Sequence, residues 1–134
     1  EVSNFSLSNK ESIHNLNYWD NGFYYGFGLG SVSYLDNNRI TNTKNLTKYL
    51  NGFYLDNTIF EDLDMRISNG LILGLRKVNG INIKEFNKKY NTDILTLYNI
   101  ESLIEMKKLE VDGGYLKISS KYFYMANDIL VNFI

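Results

Sequence analysis

Apolar residues change their spacing part-way along this 134-residue chain. Up to about residue 35 they alternate, as in Asn4-Phe5-Ser6-Leu7, and Phe23-Tyr24-Tyr25 leads into a glycine-rich stretch. Beyond the polar segment 36–43 they recur every three or four residues. A period of two lines one face of a strand, and a period near 3.6 lines one face of a helix. The expected class is therefore α+β, with strand and turn material in residues 1–35 and a helical part in 36–134. There is no proline to break an element anywhere in the chain.

The helical part can be read element by element. Asp36-Asn37-Asn38-Arg39 onward is expected to be a polar turn, and Thr43 or Asn45 to cap a short helix over 44–51. Thr58-Ile59-Phe60-Glu61 has the form of a capping box, opening a helix whose Phe60, Leu63, Ile67, Leu71 and Leu75 share a face. Gly80 is the natural stop, Asn82 starts a second helix, and 94–107 is expected to be a third. Asp112-Gly113-Gly114 turns a hairpin near 109–118. Ser119 or Ser120 caps a last helix carrying Phe123, Ala126, Leu130 and Phe133. Helices followed by a two-stranded hairpin give a winged-helix-like shape. Gly70 and Gly74 point to close helix packing. Glu61, Asp62 and Asp64 suit the positive end of a helix, while Lys88-Lys89 and Lys107-Lys108 read as solvated faces.

Charge and composition exclude several classes. A formal net charge of −1 gives no electrostatic reason to expect nucleic acid. No run of eighteen apolar residues and no signal peptide is present, so the expected location is cytoplasmic. With no cysteine, a disulfide scaffold is ruled out.

Candidate site residues concentrate between 12 and 34. His14-Asn15-Leu16-Asn17-Tyr18-Trp19 holds the only histidine and the only tryptophan, together with two carboxamides. The imidazole is the one neutral nitrogen donor available to a metal or a proton relay. Its bland alternative is a partly buried histidine bonded to backbone. Tyr18 and Trp19 can wall a flat ligand or fill a core. Asn15 and Asn17 read equally as turn-stabilising amides. Gly26-x-Gly28-x-Gly30 lets backbone approach a ligand, or kinks a strand at a barrel rim. Ser31 follows and no clear helix does, so this is not the dinucleotide fingerprint.

These residues also carry a family resemblance. Val2-Ser3-Asn4-Phe5, Glu11-Ser12, His14-Asn15-x-x-Tyr18-Trp19, the three glycines and Ser33-Tyr34 resemble the late core of a radical S-adenosylmethionine family. That family holds the oxygen-independent coproporphyrinogen III oxidases and the related haem chaperones of the HemW type. The His-Asn-x-x-Tyr-Trp signature is similar to the chaperone branch. Weaker likeness continues through Leu75-Arg76-Lys77, Gly80-Ile81 and Leu116-x-Ile118-Ser119. Ile13 stands where the family usually has arginine, and Ser31-Val32 where it usually reads alanine-histidine.

The resemblance implies that residues 1–35 are the last strands and glycine-rich turn of a radical-SAM partial barrel. It implies that His14 contacts haem or porphyrin, as a candidate iron ligand, with Tyr18 and Trp19 shaping the pocket. It further implies that Asn15, Asn17, Gly26, Gly28, Gly30 and Val32 lie near S-adenosylmethionine. The family's 4Fe-4S cluster needs thiolates, which this chain lacks. The expectation is a C-terminal fragment, inactive alone, of a longer protein whose barrel and cluster lie upstream. Without that barrel, sheet edges are expected to be poorly paired or to pair in a homodimer. The alternatives are the same region of a coproporphyrinogen III oxidase, or a winged-helix interaction module. The last helix, with Lys121 and Asp128, is too neutral to favour the latter.

Overall fold

The computed structural model describes residues 6, 7 and 10–134. The strand expected at Asn4-Phe5 lies outside them, and Ser6-Leu7 is not strand.

The first element corrects the strand-like reading of residues 1–35. Ile13–Trp19 is a helix, α1, capped by Ser12, whose Oγ accepts a hydrogen bond from the Asn15 N–H at 3.3 Å. A serine cap followed by a stretch with one β-branched residue, Ile13, outweighs the aromatic content. Residues 22–27 then carry no helix and are joined to the sheet by an antiparallel bridge between Tyr24 and Tyr34, and 28–30 form a bend and turn.

Three strands follow as an antiparallel meander: β1 (Val32–Leu35), β2 (Asn38–Asn42) and β3 (Leu55–Phe60), in that order across the sheet. The polar segment 36–43 is thus mostly strand. Only Asp36 and Asn37 turn, both with positive φ (47° and 64°), the geometry of a two-residue hairpin whose twist matches its strands. The boundary expected after residue 35 falls inside this hairpin, since Leu35 pairs with Asn38. The helix α2 (Leu46–Leu50), capped by Asn45, interrupts the meander within the span foreseen for it.

The capping box at Thr58 is not used. Thr58 and Phe60 belong to β3, paired with Ile40 and Asn38. The helix α3 (Leu63–Gly74) instead takes Asp62 as its cap, with Oδ1 accepting from the Met65 N–H at 2.9 Å. Sheet pairing with β2, a non-local interaction, overrides a local capping pattern. α3 also ends six residues before Gly80, which sits at φ +72° in a later turn. There a Cβ would overlap the Leu116 carbonyl oxygen.

The C-terminal half is built around a second antiparallel sheet, ordered β4 (Ile81–Asn82), β6 (Tyr115–Ile118), β5 (Leu109–Asp112). The β5–β6 hairpin forms as expected, with Gly113 and Gly114 at positive φ. β4 adds a third strand. Asn82 caps α4 (Ile83–Tyr90) through the Glu85 N–H. The helix expected over 94–107 divides: a 3₁₀ turn at Ile94–Thr96, then Tyr98 at φ +46°, then α5 (Ile100–Glu105). The last helix is likewise divided, with α6 (Ala126–Leu130) between two 3₁₀ turns and no serine side chain capping it.

Ile67, Leu71, Leu75, Ile81, Phe86, Ile94, Leu116 and Phe133 belong to one buried cluster that lies wholly between Ile67 and Phe133. Gly70 and Gly74 let α3 sit close to its neighbours, because a Cβ would lie 2.6 Å from the Tyr90 hydroxyl and 2.5 Å from Ile81 Cγ1 respectively. By contrast, β3 is exposed along all six residues.

Candidate functional site

α1 separates the candidate residues onto two faces. At about 100° per residue, His14 and Tyr18 share one face, while Leu16 and Trp19 turn to another. His14 is exposed and meets Tyr18 edge to face, with ring centroids 4.7 Å apart. Tyr18 meets Tyr24 the same way at 4.5 Å, and Tyr24 lies against Tyr34 at 6.4 Å. The imidazole thus sits at the outer end of an aromatic row running from the solvent to a buried tyrosine of β1. Such edge contacts orient a ring while leaving its nitrogens available. Among the described residues, no hydrogen-bond partner holds either ring nitrogen.

Trp19 serves elsewhere. It lines a cleft of about 790 Å³ between α1, α3 and α4, together with Leu16, Gly70, Gly74, Phe86 and Tyr115. Its Nε1 is buried there without a partner among the described residues. Tyr18 and Trp19 therefore do not wall one pocket.

Local structure accounts for the remaining candidates. Asn17 Nδ2 donates to the Phe23 carbonyl at 3.0 Å, fastening the chain that leaves α1. The backbone N–H of Asn15 completes the Ser12 cap. A Cβ at Gly26 would overlap the Val32 carbonyl oxygen, and the Gly26 N–H donates to Ser33 Oγ at 3.0 Å. Glycine at 26 is required by the chain's own strand. Gly30 has φ +68° and donates to the Thr43 carbonyl, whereas Gly28, at φ +99°, faces open space.

Behind α1 lies a polar junction that the sequence reading missed. Glu61 is 1 % exposed and is not a helix-start acid facing solvent. Its Oε1 pairs with Arg39 and accepts from Asn69 Nδ2 at 3.0 Å. The Arg39 guanidinium also stacks over the Tyr34 ring, 4.7 Å from its centroid. Lys89 is no solvated lysine either: its Nζ donates to the Asp20 and Asn21 carbonyls at 2.7 and 3.0 Å. Burial holds the Lys89 ammonium below its ordinary pKa, against the pull of Asp20. Burial first, then the Glu61 charge, raises Tyr34, and burial raises Tyr90. The Arg39–Glu61 pair and the Lys89 contacts join residues 22 to 69 positions apart, so no local pattern announces them. The one local hint is that Asp62, not Glu61, occupies the capping position.

Comparison with known proteins identifies the setting. Residues 62–121 match the HemN C-terminal domain. The haem chaperone HemW of Lactococcus lactis is 34 % identical over the whole chain, which spans 37 % of that protein. HemW of Bacillus subtilis is 35 % identical over 73 % of the chain and 27 % of its own length. The chain belongs to the HemN/HemW family. Its fold agrees: coproporphyrinogen III oxidase (HemN) from Escherichia coli, described as a radical SAM enzyme, superposes on 84 % of the chain and 28 % of its own with a TM-score of 0.60, at 16 % identity. The HemN C-terminal match begins at the cap of α3, so the meander through Phe60 stands outside it. No helix among the described residues is long and apolar enough to cross a membrane.

Proposed function

We propose that this chain is the C-terminal part of a haem chaperone of the HemW kind, and that His14 on α1 contacts haem as cargo. The carrying observation is the likeness to Lactococcus lactis HemW along the whole chain, which includes α1. The exposed imidazole, steadied by Tyr18, suits this reading because iron takes a neutral imidazole nitrogen as a ligand. Trp19, in the adjoining cleft, supports α1 from behind.

In the longer protein, the meander would complete the sheet of an upstream radical-SAM barrel. Exposed Phe23, Tyr25 and Phe27 beside β1, and Leu55, Ile59 and Phe60 on the open strand β3 at the other edge, are apolar side chains such a body would cover. Lacking that partner, the same edge would pair two copies. The division between barrel remnant and helical, winged-helix-like part would fall near residue 61, where the HemN C-terminal match begins.

The residues present do not fit the 4Fe-4S cluster, since the chain has no thiolate to hold it. The glycine turn would offer S-adenosylmethionine only Gly28, because Gly26 is filled by Val32. We infer no chemistry through either group for this chain alone.

Haemin titration of the chain, followed at the Soret band, tests the haem reading. Saturable binding that His14→Ala weakens at least tenfold is expected; equal titrations for the two proteins would overturn it.

A further inference from the structure

A second, smaller pocket opens at the polar junction, with a volume of about 180 Å³. Six of its residues carry the argument: Asn21, Tyr34, Asn37, Arg66, Lys89 and Tyr90. Two of them are cations and two are carboxamides. Asn21 and Asn37 hold positive φ (49° and 64°), so both sit at tight turns, and Asn21 is itself buried. Tyr90 is 3 % exposed, and among the described residues its hydroxyl makes no hydrogen bond within 3.5 Å, the Asn21 carboxamide being the polar side chain beside it. A buried hydroxyl without a partner costs free energy unless something in the cavity supplies one.

The surrounding charge favours an anion. The charged groups acting on the lining are Arg39, Arg66, Lys77 and Lys89 against Asp20 and Glu61. Glu61 pairs with Arg39 through Oε1, its Oε2 is buried without a partner among the described residues, and Asp20 pairs with Lys77, which leaves Arg66 and Lys89 as the cations of the lining. Lys89 uses two of its three protons on carbonyls. Arg66 has no carboxylate within pairing distance among the described residues; its guanidinium lies 6.0 Å from the Tyr90 ring centroid. Its planar fork matches a carboxylate in two parallel hydrogen bonds. The size discriminates further: the volume holds about six waters at their liquid share, enough for a short carboxylate but not for a macrocycle.

We propose that this pocket is a carboxylate site in which Arg66 forms the paired contact, Lys89 adds charge, and Tyr90 donates its hydroxyl proton to the anion. The carboxylate comes either from a small free acid or from the arm of a larger ligand held outside the pocket, such as a haem propionate. The first source is independent of the haem reading.

Amide NMR titration of the chain with sodium propionate, against sodium chloride at equal ionic strength, tests the site. Propionate is expected to move the Asn21 and Asn37 amides saturably, and Arg66→Gln to weaken it about tenfold or more, the loss of a charge-assisted pair. Arg66→Lys keeps the charge but not the fork; it should bind several-fold more weakly than the parent, and serves if the glutamine variant loses its dispersed spectrum. His14→Ala should leave propionate binding unchanged, which separates failure here from failure of the haem reading. Haemin and its dimethyl ester then distinguish the sources. A haem arm predicts that esterification weakens binding to the parent but not to Arg66→Gln; equal effects on both leave the pocket to a free acid. No saturable shift with propionate, or one indifferent to Arg66→Gln, would overturn the site.

Discussion

At the scale of single residues, burial decides which charges matter. Glu61 and Arg39 join the meander to α3 from inside, whereas Lys77 reaches an Asp20 whose side chain is 58 % exposed. Removing one partner of a buried pair strands the other, while an exposed pair contributes little. Glu61→Ala should therefore destabilise by about 3 kcal/mol, and Lys77→Ala by less than about 1 kcal/mol, in urea unfolding. Similar losses would show that the junction is not the fastening it is taken for. The tyrosines give a pH signature. Tyr34 and Tyr90 have folded pKa values raised above 10.0 by burial, so they bind protons longer when folded than when unfolded. Their contribution is complete below 10.0 and is lost as pH rises through the raised values. A near-ultraviolet titration should show a late-ionising fraction that disappears in Tyr34→Phe with Tyr90→Phe, and unfolding should ease over the same window.

The elements show where the sequence could be read and where it could not. The 109–118 hairpin was legible because Asp112-Gly113-Gly114 demands a tight turn whatever surrounds it. Asn45 and Asn82 were legible as caps for the same local reason. Thr58 was misleading, because its capping pattern competes with pairing to Ile40 across the sheet. Asp62→Ala should accordingly cost about 1 kcal/mol through the lost cap of α3, with Thr58→Ala no worse than an ordinary exposed strand substitution. The reverse order in thermal unfolding would restore the helix at Thr58. α1 was obscured by its own candidates: a run rich in aromatics and amides reads as strand and turn, and only Ser12 betrays the helix start. His14 was found as an unusual residue, but its separation from Trp19 needed the helix. Arg66 and Lys89 were not legible as site residues at all, since the chain segments that bring them together are distant in sequence.

For the whole molecule, two regions differ in how they are held. The buried cluster lies wholly between Ile67 and Phe133, while Tyr34 is the deeply buried apolar residue of the meander. Local opening follows such differences in apolar burial. Amide hydrogen exchange should therefore be slowest in α3, β6 and α4 and faster throughout β1–β3; uniform protection would contradict this division. A weakly buried sheet with an open strand is what a segment spanning 37 % of its Lactococcus lactis relative presents if its remaining surface is covered by the rest of a longer protein.

The central claim is that His14 acts as a haem ligand rather than as a packing residue, and imidazole rescue tests it most directly. Haemin would be titrated into His14→Gly with and without free imidazole, following the Soret band. The account predicts that the glycine variant loses the parent's spectrum and that imidazole restores both the band and its saturation. Loss without rescue would make the His14–Tyr18 contact structural, and an unaltered titration in the glycine variant would place haem elsewhere or nowhere on this chain.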